Sequence, residues 1–289
     1  MSALHFIPVG EFSREIAPIS PLTALSAACL DAPLVAVAWQ WLIADTFQAR
    51  ISIADRAVLF ITAWVIYLID RLGDSLVISA SAPVSIRQKF CAEHRRRWLL
   101  LVGLLALLDA FLGFAFLDWL TIASGAVVGF GIAIYFAVNH FAGFIWRKLP
   151  IKELLIGFLF ALGTVSAVHR FGFSFVVAML LFGTLCSLNC LSISVWEREL
   201  DIAQRRVSFA TAHPGLVSLP RVACCAVAGL ALIMAILGQL TAISISVAIS
   251  AVLLAVLHRA DFLARDTRVA AADLVLLTPF IFPLIRLPA

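Results

Sequence analysis

Four acidic side chains are the first residues in this sequence whose spacing points to chemistry. Asp70 and Asp74 lie four apart in Asp70-Arg71-Leu72-Gly73-Asp74. Glu197 and Asp201 repeat that spacing in Glu197-Arg198-Glu199-Leu200-Asp201. Both stretches read acid-Arg-x-x-Asp, and both close a long apolar run. On a helix, residues four apart share a face, with Cβ atoms about 5–6 Å from each other. Each couple is unfavourable alone. Like charges repel at this spacing, acids at a helix C-terminus face the negative end of the macrodipole, and ionisable groups near membrane depth cost a few kcal/mol. A cation between the couples removes these penalties. Hard oxygen ligands with open positions suit Mg²⁺, which keeps waters and takes phosphate oxygens. The bland alternative is that the acids only cap helix ends and pair with Arg71 and Arg198. Glu199 falls off the Glu197/Asp201 face and reads as a solvated loop charge.

The elements that must position these acids are membrane helices. Of the 289 residues, 63% are hydrophobic and 13% charged, and the mean hydropathy is +1.07. A soluble domain of this length could not bury so much apolar surface, so the class is an all-α, polytopic membrane bundle. The chain reads as one transmembrane domain over 1–289, with 1–20 as a cytoplasmic segment and no cleaved signal peptide. Nine spans of about the length a bilayer needs are expected, near 22–44, 54–73, 98–117, 119–140, 151–168, 173–196, 220–238, 241–258 and 270–287. The six cysteines (29, 91, 186, 190, 224 and 225) show no CxxC or zinc spacing and read as buried thiols.

Charge placement orients the bundle. Counting Arg14, Arg71 and Arg198 with the loops after even-numbered spans, 17 of the 21 basic residues fall on one side. The positive-inside rule then puts the N-terminus and those loops in the cytoplasm of a bacterial-type inner or plasma membrane, and the C-terminus outside. Both acidic couples end even-numbered spans, so both belong at the cytoplasmic face. The basic residues track topology and give nucleic-acid binding no support.

On these motifs the chain resembles the UbiA superfamily of intramembrane prenyltransferases, a nine-helix fold with two Asp-rich motifs after helices 2 and 6. Asp70 and Asp74 match the second half of the first motif, whose Asn-Asp positions are here Ile66 and Tyr67. Glu197 and Asp201 match the second motif, with Glu for Asp. The run from Arg147 to Glu153, followed by Gly157 and Gly163, is similar to the family's basic segment entering helix 5. The resemblance implies Mg²⁺-dependent transfer of a prenyl chain from an isoprenoid diphosphate to a lipophilic acceptor in the membrane. It implies Asp70, Asp74, Glu197 and Asp201 as metal ligands, and Arg71, Lys148, Lys152, Arg198 and Arg205 as diphosphate contacts. Tyr67, Asn189 and Asp31 are candidates for acceptor contact or support of the site, with interhelical hydrogen bonding as the alternative.

Asp109 is a further intramembrane acid, with no partner visible in the sequence. Asn139 and His140 end the fourth span, and His169 belongs to the opposite face. The alternative to an enzyme is a UbiA-like protein that has lost catalysis and binds a lipid or quinone. A transporter is disfavoured because the acids gather at one face and not at the midplane. The Asp-Gly-x-x-Ala-Arg signature of lipid-headgroup phosphotransferases is absent.

Overall fold

A computed structural model describes residues 21–77, 83–148 and 151–282. The expected cytoplasmic segment 1–20, Leu149 and Pro150 of the basic segment, and the end of the ninth span lie outside these residues. The described residues are helical and contain no strand.

The chain opens on a broken helix. α1 (Pro21–Ala27) and α2 (Asp31–Thr46) meet at 88°, and Cys29, in the left-handed region with φ 57°, makes the corner. The kink thus precedes Asp31, and Pro33 sits in the first turn of α2, where proline is tolerated. α3 (Ile53–Val77) follows with 25 residues and carries the first acidic couple. In the polar connection after it, α4 (Ile86–Glu93) starts from a capping box in which Ser85 and Gln88 satisfy each other's backbone N–H groups. α5 (Arg95–Phe116) and α6 (Trp119–Phe141) follow, joined by Leu117 and Asp118. Asp118 caps α6, accepting from the Thr121 N–H at 2.8 Å.

A one-turn helix, α7 (Ile145–Lys148), precedes α8 (Lys152–Thr164) and α9 (Phe173–Trp196), which ends at the second couple. These two pack without spacers. A Cβ built on Gly157 would sit well under 3.0 Å from the Ser187 backbone, and one on Gly183 would overlap the Phe158 ring. Short helices α10 (Arg198–Ala203) and α11 (Phe209–Ala212) carry the chain to α12 (Leu219–Ile236), α13 (Thr241–Leu257) and α14 (Arg265–Leu274), after which a 3₁₀ turn spans Val275–Phe280.

The core joins α2, α8, α9, α12, α13 and the 3₁₀ turn. At its centre Trp39 stacks on Phe182 with ring centroids 4.3 Å apart, and its indole N–H donates to the Leu276 carbonyl at 2.8 Å. α5 buries none of its residues. Leu100, Leu104, Leu107, Phe111 and Phe114 are all exposed on it. An apolar helix with no buried face is matched to lipid, so this is a membrane protein.

Among the described residues, four helices are long and apolar enough to cross a bilayer, or five if α1 and α2 count as one span. That is fewer than the nine expected. Each expected span from 22–44 to 241–258 coincides with a helix or the α1–α2 pair, but several fall short individually. α8 has 13 residues and α13 has 17. α3 is long enough but carries Asp55 and Arg56 at its start and Asp70, Arg71 and Asp74 towards its end. The final expected span falls on the polar α14 and the 3₁₀ turn.

Candidate functional site

α3 presents residues to a central cavity at the three- and four-residue steps of one helix face, from Asp55 through Leu59, Thr62, Ile66 and Asp70 to Asp74. Tyr67 and Arg71 line it too. From Asp55 to Asp74 the face runs for nineteen residues, about 28 Å at the helical rise, close to the thickness of a hydrocarbon core. The cavity has a volume of about 500 Å³ and is completed by α5, α6, α8, α9, α10 and the segment leading to α11. Its walls are mainly apolar, with Ile132, Phe136, Leu159 and Phe160 among them.

Both acidic couples line this one cavity. Asp70 and Asp74 reach it from the end of α3, Glu197 from the end of α9, and Asp201 from α10. Basic residues stand between them. Arg206 donates to the Asp74 carboxylate. Lys152 donates to the Val207 carbonyl at 3.2 Å. Both cations lie within electrostatic reach of Asp70 and Asp201 alike. The Arg71 guanidinium sits 5.5 Å from the centre of the Tyr67 ring, a cation–π distance that fixes both side chains.

The second couple is electrostatically split. Burial pushes Glu197 up, but the Arg87 guanidinium, 2.9 Å away, together with Arg71 and Arg265 outweighs it and holds the carboxyl below its usual range. Burial raises Asp201 to about 6, with Glu197 adding to the shift and Ser208 and Arg206 opposing it. One member is therefore ionised throughout the neutral range, while the other titrates near it.

Of the remaining sequence candidates, Tyr67, Lys152, Asp109 and Asn139 line the cavity, while Lys148, Arg198, Arg205, Asn189, Asp31, His140 and His169 do not. Arg198 turns to the backbone and donates to the Ala210 carbonyl at 3.1 Å. Arg205 is exposed, and it takes the left-handed conformation with φ 56°. Lys148 is exposed on α7. Asn189 is buried and donates to Asp273 at 2.7 Å. Asp31 is buried at the start of α2, where one carboxylate oxygen accepts from the Ala32 N–H at 3.0 Å. His169 packs by Thr121 and Asp118, away from the acids.

Sequence reasoning missed three residues of the site and its support. Arg206 lies outside both acidic motifs in the sequence, yet it pairs with Asp74. Glu153 lines the cavity almost fully buried, accepts from the Phe209 N–H at 2.8 Å, and leaves Oε2 without a partner. Its signal was an acid placed inside a basic run. Arg87 lies outside the cavity lining and bridges Glu197 to Asp273, the latter at 4.0 Å. Those partners are far apart in the chain, so no local pattern announces the bridge.

The donor set has the chemistry Mg²⁺ asks for, carboxylate oxygens beside room for phosphate and water. Among the described residues, however, no three His, Cys, Asp or Glu side chains stand close enough together to hold an ion by themselves. No protein-family profile matches the sequence, and no curated protein matches it significantly.

Proposed function

We propose that this protein is a UbiA-like intramembrane prenyltransferase, a bundle of nine crossings with both acidic couples at the cytoplasmic face. It moves a prenyl chain from an isoprenoid diphosphate to a lipophilic acceptor. One observation carries the reading. A single cavity joins four carboxylates, Arg71, Lys152 and Arg206 to an apolar passage of bilayer depth. An anionic head on a long hydrocarbon chain is the ligand that uses both parts.

Lys152 and Arg206 bind the diphosphate as charged donors, and Arg71, held by Tyr67, adds a third. Asp70, Asp74, Glu197 and Asp201 are the residues that would hold Mg²⁺, which would supply charge neutralisation for the departing diphosphate. An ion of this kind needs only one or two carboxylates when phosphate completes its shell. The allylic C–O bond breaks, and its electron pair leaves with the diphosphate. The Tyr67 and Tyr135 rings offer π faces to the allylic cation. The acceptor's electron pair then forms the new bond to the allylic carbon. The acceptor's displaced proton goes to a cavity carboxylate, and Glu153, with an unpartnered oxygen, is the assigned base. Apolar walls keep water from quenching the cation.

The Arg87–Glu197 and Arg206–Asp74 pairs favour a second reading, in which arginines take the place of metal and the cavity holds a lipid or quinone without chemistry. The decisive experiment incubates purified protein with labelled prenyl diphosphates, Mg²⁺ and a panel of acceptors. Asp70→Asn and Asp201→Asn serve as controls that should fold normally and lose transfer. Product formation that survives both substitutions would remove the acids from catalysis. No product from any donor, with quinone binding retained, would establish the second reading.

A further inference from the structure

We infer that Asp109 and Thr62 set the length of the prenyl chain that the cavity accepts, favouring chains that end at or before this pair. The inference rests on the reading above. Both residues line the cavity. The Thr62 hydroxyl donates to Asp109 Oδ2 at 2.7 Å, tying α3 to α5. Thr62 lies eight residues before Asp70 and seven after Asp55, about 12 Å and about 10 Å along the helix axis. The pair thus sets a carboxyl part-way down a passage whose walls are mainly apolar, with Asp55 at the far end of the α3 face.

The interruption is polar and not steric. Beyond the pair the cavity continues past Val58, Leu59 and Leu117, so a longer chain has space. What it meets is a carboxyl group with one hydrogen bond. Asp109 Oδ1 is buried without any partner. Methylenes laid along the cavity beside this carboxyl displace water from its neighbourhood and offer no hydrogen bond in return. A short chain stops before that contact, and a long chain must make it. Length is discriminated by desolvation at a fixed depth.

The test measures binding and turnover of geranyl and solanesyl diphosphates with Mg²⁺ in nanodiscs, read as the long-to-short ratio. Asp109→Leu removes the polar group and should raise the ratio about tenfold, the factor that one lost desolvation penalty represents. Thr62→Val keeps the shape but strips Asp109 of its hydrogen bond, and should lower the ratio. Asp109→Asn keeps a polar group and should leave the ratio near wild type. A steric gate predicts no change for Thr62→Val, so opposite signs for the two variants are the diagnostic result. Should Asp109→Leu not fold, the near-isosteric Thr62→Val still decides. An unchanged ratio in Thr62→Val, with geranyl diphosphate still bound, overturns the length inference and leaves the prenyltransferase reading intact. If wild type binds neither diphosphate, both fall.

Discussion

Arg87 is the residue whose loss the structure prices most clearly. It is buried, and its side chain is 6% exposed, against 16% for its partner Glu197. Replacing it with Met keeps most of the apolar stem and deletes the charge. Glu197 then loses its hydrogen-bonded counter-charge under protein cover, keeping only the weaker pull of Arg71 and Arg265, and Asp273 loses its neighbour at 4.0 Å. Breaking a buried pair from one side costs about 3–5 kcal/mol, because the surviving charge stays desolvated. For a chain of this size that corresponds to a fall in Tm on the order of 10 °C. The assay is thermal unfolding in detergent for wild type, Arg87→Met, Glu197→Gln and the double variant. The double variant should recover part of the loss, with a coupling of about 2 kcal/mol. The pH dependence follows from Glu197. Its carboxyl is held below the unfolded value of 4.5, so its stabilisation is present above that value and lost as pH falls through the lower folded one. The gap between wild type and Arg87→Met should therefore narrow in acid. Additive single effects, or a loss below about 1 kcal/mol, would show that the pair does not hold the end of α9 in place.

Other outcomes follow from the same geometry. Gly157→Ala should destabilise by about 1–3 kcal/mol through overpacking against the Ser187 backbone. Gly103→Ala, on the open face of α5, should be neutral or stabilise by up to about 1 kcal/mol, and melting curves of the two compare them directly. Asp201 titrates near 6 because burial disfavours its charge, so the ionised fraction grows as pH rises through that value. Mg²⁺-dependent diphosphate binding should strengthen across the same interval, and equal affinity at pH 5 and pH 7 would count against a ligand role. Arg206→Gln should weaken diphosphate binding by about tenfold, while Arg198→Gln, whose guanidinium faces a backbone carbonyl, should not.

Much of the helix layout was legible because apolar runs and capping residues act locally. The helix break at Asp118 and the end of α9 before Glu197 both follow from neighbours in the chain. The four acids could be paired by spacing alone, since four residues is one helical turn wherever the helix sits. Which cations face them was not legible. Arg198, inside the motif, turns to the Ala210 carbonyl, while Arg206 and Arg87 approach from outside it. The choice depends on how the connections after α3 and α9 fold back over the cavity, and no local rule encodes that. Asp109 shows the same limit, because its partner Thr62 lies 47 residues away on another helix.

The sequence by itself determined that this is a helical membrane protein bearing two turn-spaced acidic couples. Hydropathy and helical periodicity are properties of contiguous residues, so they survive without knowledge of the fold. Only the tertiary structure decided that both couples open onto one passage, and that Glu153 and Arg206 join them. It alone set a carboxyl part-way along that passage. Such assignments depend on which helix faces meet, and that is settled by packing between elements distant in the chain.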